Sequence, residues 1–325
     1  MNNTASRFRG LFIPHVTPLC DDGAVDLESL ERLARHQTSI DGVAGLVSCA
    51  RIGEGPVLTA AEKRQVYEVS GDVARKVGKL HIATIAPQST DEAIDLVRSL
   101  EPLPVDAVMI FPPLLLAWGK VEGELKFRFF EDIQRATNMP LVLFQVPVKS
   151  YWYDPATICR IAALDHVVAF KEASFNIDLF KETMEQLEKV QAAMEVLSGN
   201  DRFVAESYRL GASGALIGVA NVATEKWAAM DIAAQQGDFD RAAALQRELE
   251  SIKELVFSEP IVEAVARIKV ILRHEGLIKT ATVRRPQLGI PEAEQKQLLD
   301  SYRRLKQNQY RPVEGASEMS RTRVA

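Results

Sequence analysis

Eight short apolar runs recur along about the first 230 residues, each followed by a longer segment whose apolar positions return at helical spacing. The runs are "GLFIPHV", "AGLVSC", "LHIATIA", "AVMIF", "LVLFQV", "VVAFKE", "EVLSG" and "GALIGVA". Several are apolar at consecutive positions rather than alternating, as strands covered by helices on both faces must be, and this argues for a parallel sheet. Between them lie amphipathic stretches such as "DLESLERLARHQ", "TDEAIDLVRSL" and "NIDLFKETMEQLEKV". Asp26, Thr59, Thr90 and Asp154 open four of these stretches with side chains able to cap a helix. Eight such units in this length fit a closed (β/α)8 barrel better than an open doubly wound sheet, which has fewer strands.

After the eighth run the pattern becomes helical alone. The division read from the sequence is a flexible N-terminus over 1–8, the barrel over 9–222, a C-terminal helical extension over 223–307 and a mobile tail over 308–325.

Composition narrows the function. The 325 residues, 47% hydrophobic and 26% charged, are those of an ordinary globular chain. A net charge of -5 gives no basic footprint, which argues against nucleic acid or an anionic membrane surface as the main partner and for a small molecule. Cys20, Cys49 and Cys159 show no CxxC spacing and fit reduced thiols in a cytoplasmic protein. The start "MNNTASRFRG" lacks the apolar core of a signal peptide, and no apolar run approaches the roughly 18 residues that span a bilayer. His15, His36, His81, His166 and His274 share no ligand spacing, so no metal and no cofactor are expected; His15 alone sits beside a strand end that could line a pocket.

The chemistry centres on "VVAFKEAS", residues 167–174, which carries Lys171 at the end of an apolar run. In a barrel of this kind the working residues come from the C-terminal strand ends. A lysine there can be a solvated loop residue. Among apolar neighbours, however, an ammonium loses hydration, its pKa falls, and the neutral amine can attack a ketone to form a Schiff base.

The order and spacing of several further motifs resemble the dihydrodipicolinate synthase and N-acetylneuraminate lyase superfamily of pyruvate-dependent class I aldolases and dehydratases. The resemblance runs from about Gly10 to Leu299. It is carried by "GLFIPHVTPLCDDGAVDLESL" with its Thr17-Pro18 pair, by "ARIGEG", "VLFQVP" and "VVAFKEAS", and by "LSGND", "LGASGALIGVANV" and "RRPQLGIPEAE". It implies a (β/α)8 barrel with a helical C-terminus and a homotetramer built as a dimer of dimers. It also implies that Lys171 forms the Schiff base and that Gly199 and the Leu216 carbonyl lie around the bound keto acid.

The same comparison exposes departures. Phe144 stands where the family has a proton-relaying tyrosine, and a phenyl ring cannot move a proton. Arg51 and Ile52 replace two hydroxyl residues, and Leu114 stands near the tyrosine that the synthase contributes across its dimer. The synthase's own reaction is therefore not expected. Arg51 can hold a carboxylate through its planar fork or serve as a surface ion-pair partner, and the amides of Arg51, Ile52 and Gly53 can receive a keto-acid carboxylate. Lys149 replaces an arginine that often receives a distal carboxylate. Tyr151 and Tyr153 are candidates for a displaced phenol; Glu54 and Glu172 are read as structural. The function expected is a Schiff-base lyase, aldolase or dehydratase, acting through Lys171 on pyruvate or a 2-keto acid such as a deoxy-keto sugar acid. The rival reading is a catalytically silent paralogue that binds a keto acid as a sensor.

Overall fold

Each of the eight apolar runs forms a strand in a computed structural model, which describes residues 5–118 and 121–308. The strands are β1 (Gly10–Pro14), β2 (Val43–Ser48), β3 (Leu80–Ile85), β4 (Ala107–Ile110), β5 (Leu141–Gln145), β6 (Val167–Glu172), β7 (Glu195–Ser198) and β8 (Gly214–Leu216). All pair in parallel in sequence order, and β8 returns to β1 to close the barrel.

The helical layer comprises α1 (Leu27–Ser39), α2 (Ala60–Lys76), α3 (Thr90–Leu100), α4 (Gly123–Ala136), α5 (Pro155–Ala162), α6 (Ile177–Lys189), α7 (Val204–Arg209) and α8 (Thr224–Gln235). Asp26, Thr59 and Asp154 cap α1, α2 and α5, each accepting from the backbone N–H three residues on. For α3 the cap is Ser89, whose side chain accepts from the Glu92 N–H, so Thr90 is the first helical residue instead. Such a cap contributes about 1 kcal/mol.

Helix α8 lies beyond residue 222, so the eighth βα unit closes at Gln235. The extension proper is α9 (Phe239–Phe257), α10 (Ala264–His274) and α11 (Glu292–Gln307). Helix α10 is buried along its first nine residues, including Arg267 and Lys269, because it lies between the barrel top and the outer helices. Of residues 308–325, read as a mobile tail, 309–325 lie outside the described residues, as do residues 1–4 of the N-terminus; Ala5–Arg7 form a 3₁₀ turn and Phe8 is fully buried.

Two apolar clusters share the strands. Residues such as Leu11, Ile13, Leu143 and Phe170 point outward to the helices, while Phe12, Val142, Phe144, Leu197 and Leu216 point inward. At the N-terminal end Phe8 stacks on Phe12, ring centroids 6.4 Å apart, and fills the floor of the barrel. The opposite, C-terminal end holds the polar groups.

Candidate active site

The side chains of Ala169 on β6 and of Ala173 just beyond it face inward, while Phe170 faces the helices. Lys171 follows the inward set. Its Nζ lies 4.2 Å from the centroid of the Phe144 ring, its partner on β5, and only 9% of the residue is exposed. Burial pushes the Lys171 ammonium down to about 8; Asp201 pulls it the other way and Arg51 adds to the depression. At that value roughly one amine in ten is neutral at pH 7, against about one in three thousand at the ordinary value. The Phe144 π face favours the charged form, so the ring opposes this depression and acts as packing above Nζ. Phe111 meets Phe144 edge-on at 5.0 Å and fixes it.

Gly199, after β7, makes room for the amine. A Cβ at this position would lie 3.0 Å from Lys171 Cε and 2.7 Å from the Ala173 Cβ. Leu216 ends β8 with its side chain in the same interior cluster as Phe144 and Leu197. Thus Lys171, Phe144, Gly199 and Leu216 converge at the barrel mouth.

The loop after β2 forms the facing wall. Thr17 Oγ1 donates to the Gly53 carbonyl at 2.7 Å, which gives the Thr17-Pro18 pair a structural purpose. Glu54 takes a left-handed backbone conformation, ion-pairs with Lys269 of α10, both side chains fully buried, and accepts from the Arg284 N–H at 2.6 Å. Ile52 is buried where Gly218 carries no side chain; a Cβ there would sit 2.9 Å from Ile52 Cγ1. The loop leaves the N–H groups of Arg51, Ile52 and Gly53 without an acceptor among the described residues. Arg51 itself is exposed at the mouth, its Nη2 donating to the Ile261 carbonyl at 3.4 Å.

Lys149 is exposed in the 3₁₀ turn Lys149–Tyr151, with no hydrogen bond or ion pair to this group among the described residues. Tyr151 is half-buried against the interior cluster. Tyr153 points away: its ring packs edge-on against Phe130, its N–H donates to Gln145 Oε1 at 2.8 Å, and burial holds its phenol far above the usual range. It is therefore no proton relay for Lys171. His15, which the sequence placed beside the pocket, also turns outward, its Nε2 within 3.0 Å of Ser48 Oγ and Ser70 Oγ. Desolvation by burial lowers it and His81 to about 4, leaving both neutral.

Glu172 lies on the outer face, as alternation requires. It accepts from Gln145 Nε2 at 2.8 Å, Asn200 Nδ2 at 2.6 Å and the Ser174 N–H at 3.1 Å. Burial raises its pKa, and these bonds oppose the shift. The network ties together the ends of β5, β6 and β7.

One mouth residue escaped the sequence reading. Asp201, two positions after Gly199, is 9% exposed, and its Oδ1 accepts from the Val219 N–H at 3.2 Å. Burial raises its carboxyl to about 6, with the Val219 N–H and Lys171 pulling it back. The only signal in the sequence was a carboxylate two residues after the glycine of "LSGND". Among the described residues no group of three or more His, Cys, Asp or Glu side chains is arranged to hold a metal ion, and no helix is long and apolar enough to cross a membrane.

The chain matches the sequence profile of the Dihydrodipicolinate synthetase family over residues 7–304. It belongs to that family. A 4-hydroxy-tetrahydrodipicolinate synthase of Anaeromyxobacter sp. (strain Fw109-5) is 33% identical over 265 residues, 80% of this chain and 87% of the relative. Among solved structures, dihydrodipicolinate synthase from Thermotoga maritima superposes with a TM-score of 0.84 at 26% identity, covering 94% of this chain and 99% of the other. The Acinetobacter baumannii dihydrodipicolinate synthase, solved in complex with pyruvate, gives 0.79 at 27% identity, covering 91% and 98%. Membership makes this (β/α)8 protein a lyase of the dihydrodipicolinate synthase family.

Proposed function

We propose that the protein is a Schiff-base-forming lyase, an aldolase or dehydratase, whose Lys171 condenses with pyruvate or a 2-keto acid such as a deoxy-keto sugar acid. The observation that carries this reading is an amine buried at the C-terminal mouth of the barrel and brought down to about 8. The neutral Nζ adds to the ketone carbon, one proton shifts from nitrogen to oxygen, and a second proton, delivered to the carbinolamine hydroxyl, lets it leave as water and leaves an iminium. The iminium withdraws electrons from C3, so a bond to C3 or beyond it can be made or broken.

In this reading the amides of Arg51, Ile52 and Gly53 receive the keto-acid carboxylate, and the Arg51 guanidinium adds charge at the same wall. Phe144, Gly199 and Leu216 shape the pocket around the carbon chain, and Lys149 meets a distal acidic group. Phe144, Arg51 and Ile52 stand in place of the synthase's proton-carrying side chains, which separates this chain's substrate from that of its relatives. The proposal extends to a cytoplasmic homotetramer. A silent keto-acid sensor gains nothing from a desolvated amine, because burying a charge is costly.

The test combines trapping and turnover. Pyruvate with cyanoborohydride should leave one reduced adduct on Lys171 by mass spectrometry and none on Lys171→Ala. A panel of keto sugar acids should reveal turnover that the same substitution abolishes. A folded Lys171→Ala variant that turns over substrate at the parental rate removes the mechanism; trapping without turnover of any acid supports the sensor.

A further inference from the structure

The Schiff-base cycle needs a group that gives and takes protons beside the amine, and Phe144 cannot be that group. The outward network occupies Glu172, Glu54 is bound to Lys269, His15 faces the helical layer, and Tyr153 faces Phe130. Tyr151 is only half-buried, on the turn after β5. Among the buried side chains at the mouth, one carboxyl acts electrostatically on both Lys171 and Arg51 without forming an ion pair with either. We propose that Asp201, held by the Val219 N–H in the turn after β7, is the acid and base of this site and carries the protons that the missing phenol would otherwise move.

The placement fits the task. Gly199 lies against Lys171 Cε, and Asp201 follows it by two residues, so the turn that makes room for the amine also delivers the carboxyl. The carboxyl accepts from backbone N–H groups, that of Val219 at Oδ1 and that of Asp201 itself, and no other side chain hydrogen-bonds to it among the described residues, so it can still take or give a reacting proton. The charged groups acting on it are Lys171 from β6, Arg51 from the loop after β2 and Lys253 from α9. Its buried carboxyl sits near 6, where a group can serve as both acid and base at neutral pH.

The steps balance. After Nζ adds to C2 and a proton shifts to oxygen, protonated Asp201 donates to the hydroxyl of the carbinolamine. That hydroxyl leaves as water while the nitrogen lone pair becomes the second C=N bond, so a carboxylate remains beside a cationic iminium. The carboxylate then removes a proton from C3; the C–H pair becomes the C2=C3 bond, and the iminium π pair returns to nitrogen as the enamine lone pair. Asp201 ends protonated, as it began.

The inference rests on the Schiff-base reading of Lys171, and the test separates the two. Pyruvate in D2O reports enamine formation as loss of its methyl proton signal, while cyanoborohydride trapping reports the iminium. Asp201→Asn keeps an oxygen for the Val219 N–H but cannot transfer the proton. It should slow methyl exchange by about 100-fold or more, remain trappable above pH 8, and lack the limb near pH 6 expected of the parent profile. Added formate should partly restore exchange to Asp201→Ala. Exchange by Asp201→Asn within threefold of the parent, or a parent profile with no limb near pH 6, overturns the role of Asp201. A parent chain that pyruvate does not trap overturns the Schiff-base reading, and the inference with it.

Discussion

At the scale of single residues, the buried lysine costs stability. Its value of about 8 in the folded chain lies below its ordinary 10.5, so between these pH values the unfolded chain holds a proton that the native chain has released. Stability therefore rises as pH climbs from 8 to 10.5, and the penalty is fully present below 8. Lys171→Met should raise stability at pH 7 by about 1–3 kcal/mol, with the gain shrinking toward pH 10.5. Urea unfolding of both proteins across that range checks this; equal stability at pH 7 would mean that burial does not depress the amine. Lys171 was legible because an ammonium at the end of a strand-like run conflicts with its neighbours. Asp201 was not, since its place at the mouth is set by the turn after β7 meeting the Val219 N–H after β8, which no local pattern announces.

At the scale of elements, the extension does more than cover the barrel. Lys269 on α10 is the buried counter-charge of Glu54, and it also donates to the Thr282 carbonyl at 2.8 Å. Removing it strands a carboxylate in the interior, a change worth about 3–5 kcal/mol. Lys269→Met should lower the unfolding free energy by about that amount and, because Glu54 anchors the Arg51 loop, raise KM for the keto acid more than it lowers kcat. A variant as stable as the parent would show that the pair contributes little net energy. The sequence marked Glu54 as structural but not its partner 215 residues away, because pairing at that separation is settled only by the packed fold. The caps show the opposite case: three of four were readable one by one, and Ser89 was missed because Ser89 and Thr90 are both able to cap.

At the scale of the whole molecule, the barrel was legible throughout, since eight consecutive apolar runs need two-sided cover and a parallel sheet supplies it. Its outer surface was less so. Leu114, Leu115, Trp118 and Val148 are 51%, 61%, 73% and 49% exposed near the 3₁₀ turns after β4 and β5, which pack on each other. Under the proposed homotetramer, this apolar face is the surface on which a second copy would seat. Leu115→Glu with Trp118→Glu should shift sedimentation toward a smaller species; an unchanged coefficient would place the contact elsewhere.

The stacked pair Phe8 and Phe12 has a kinetic corollary. With one end of the cylinder stoppered by aromatic rings, every reactant arrives and every product departs through a common doorway. A two-carbonyl reaction on this scaffold is thus bound to a queue: the first component, once tethered to the amine, sits deepest, and its partner must be last to enter and first to go.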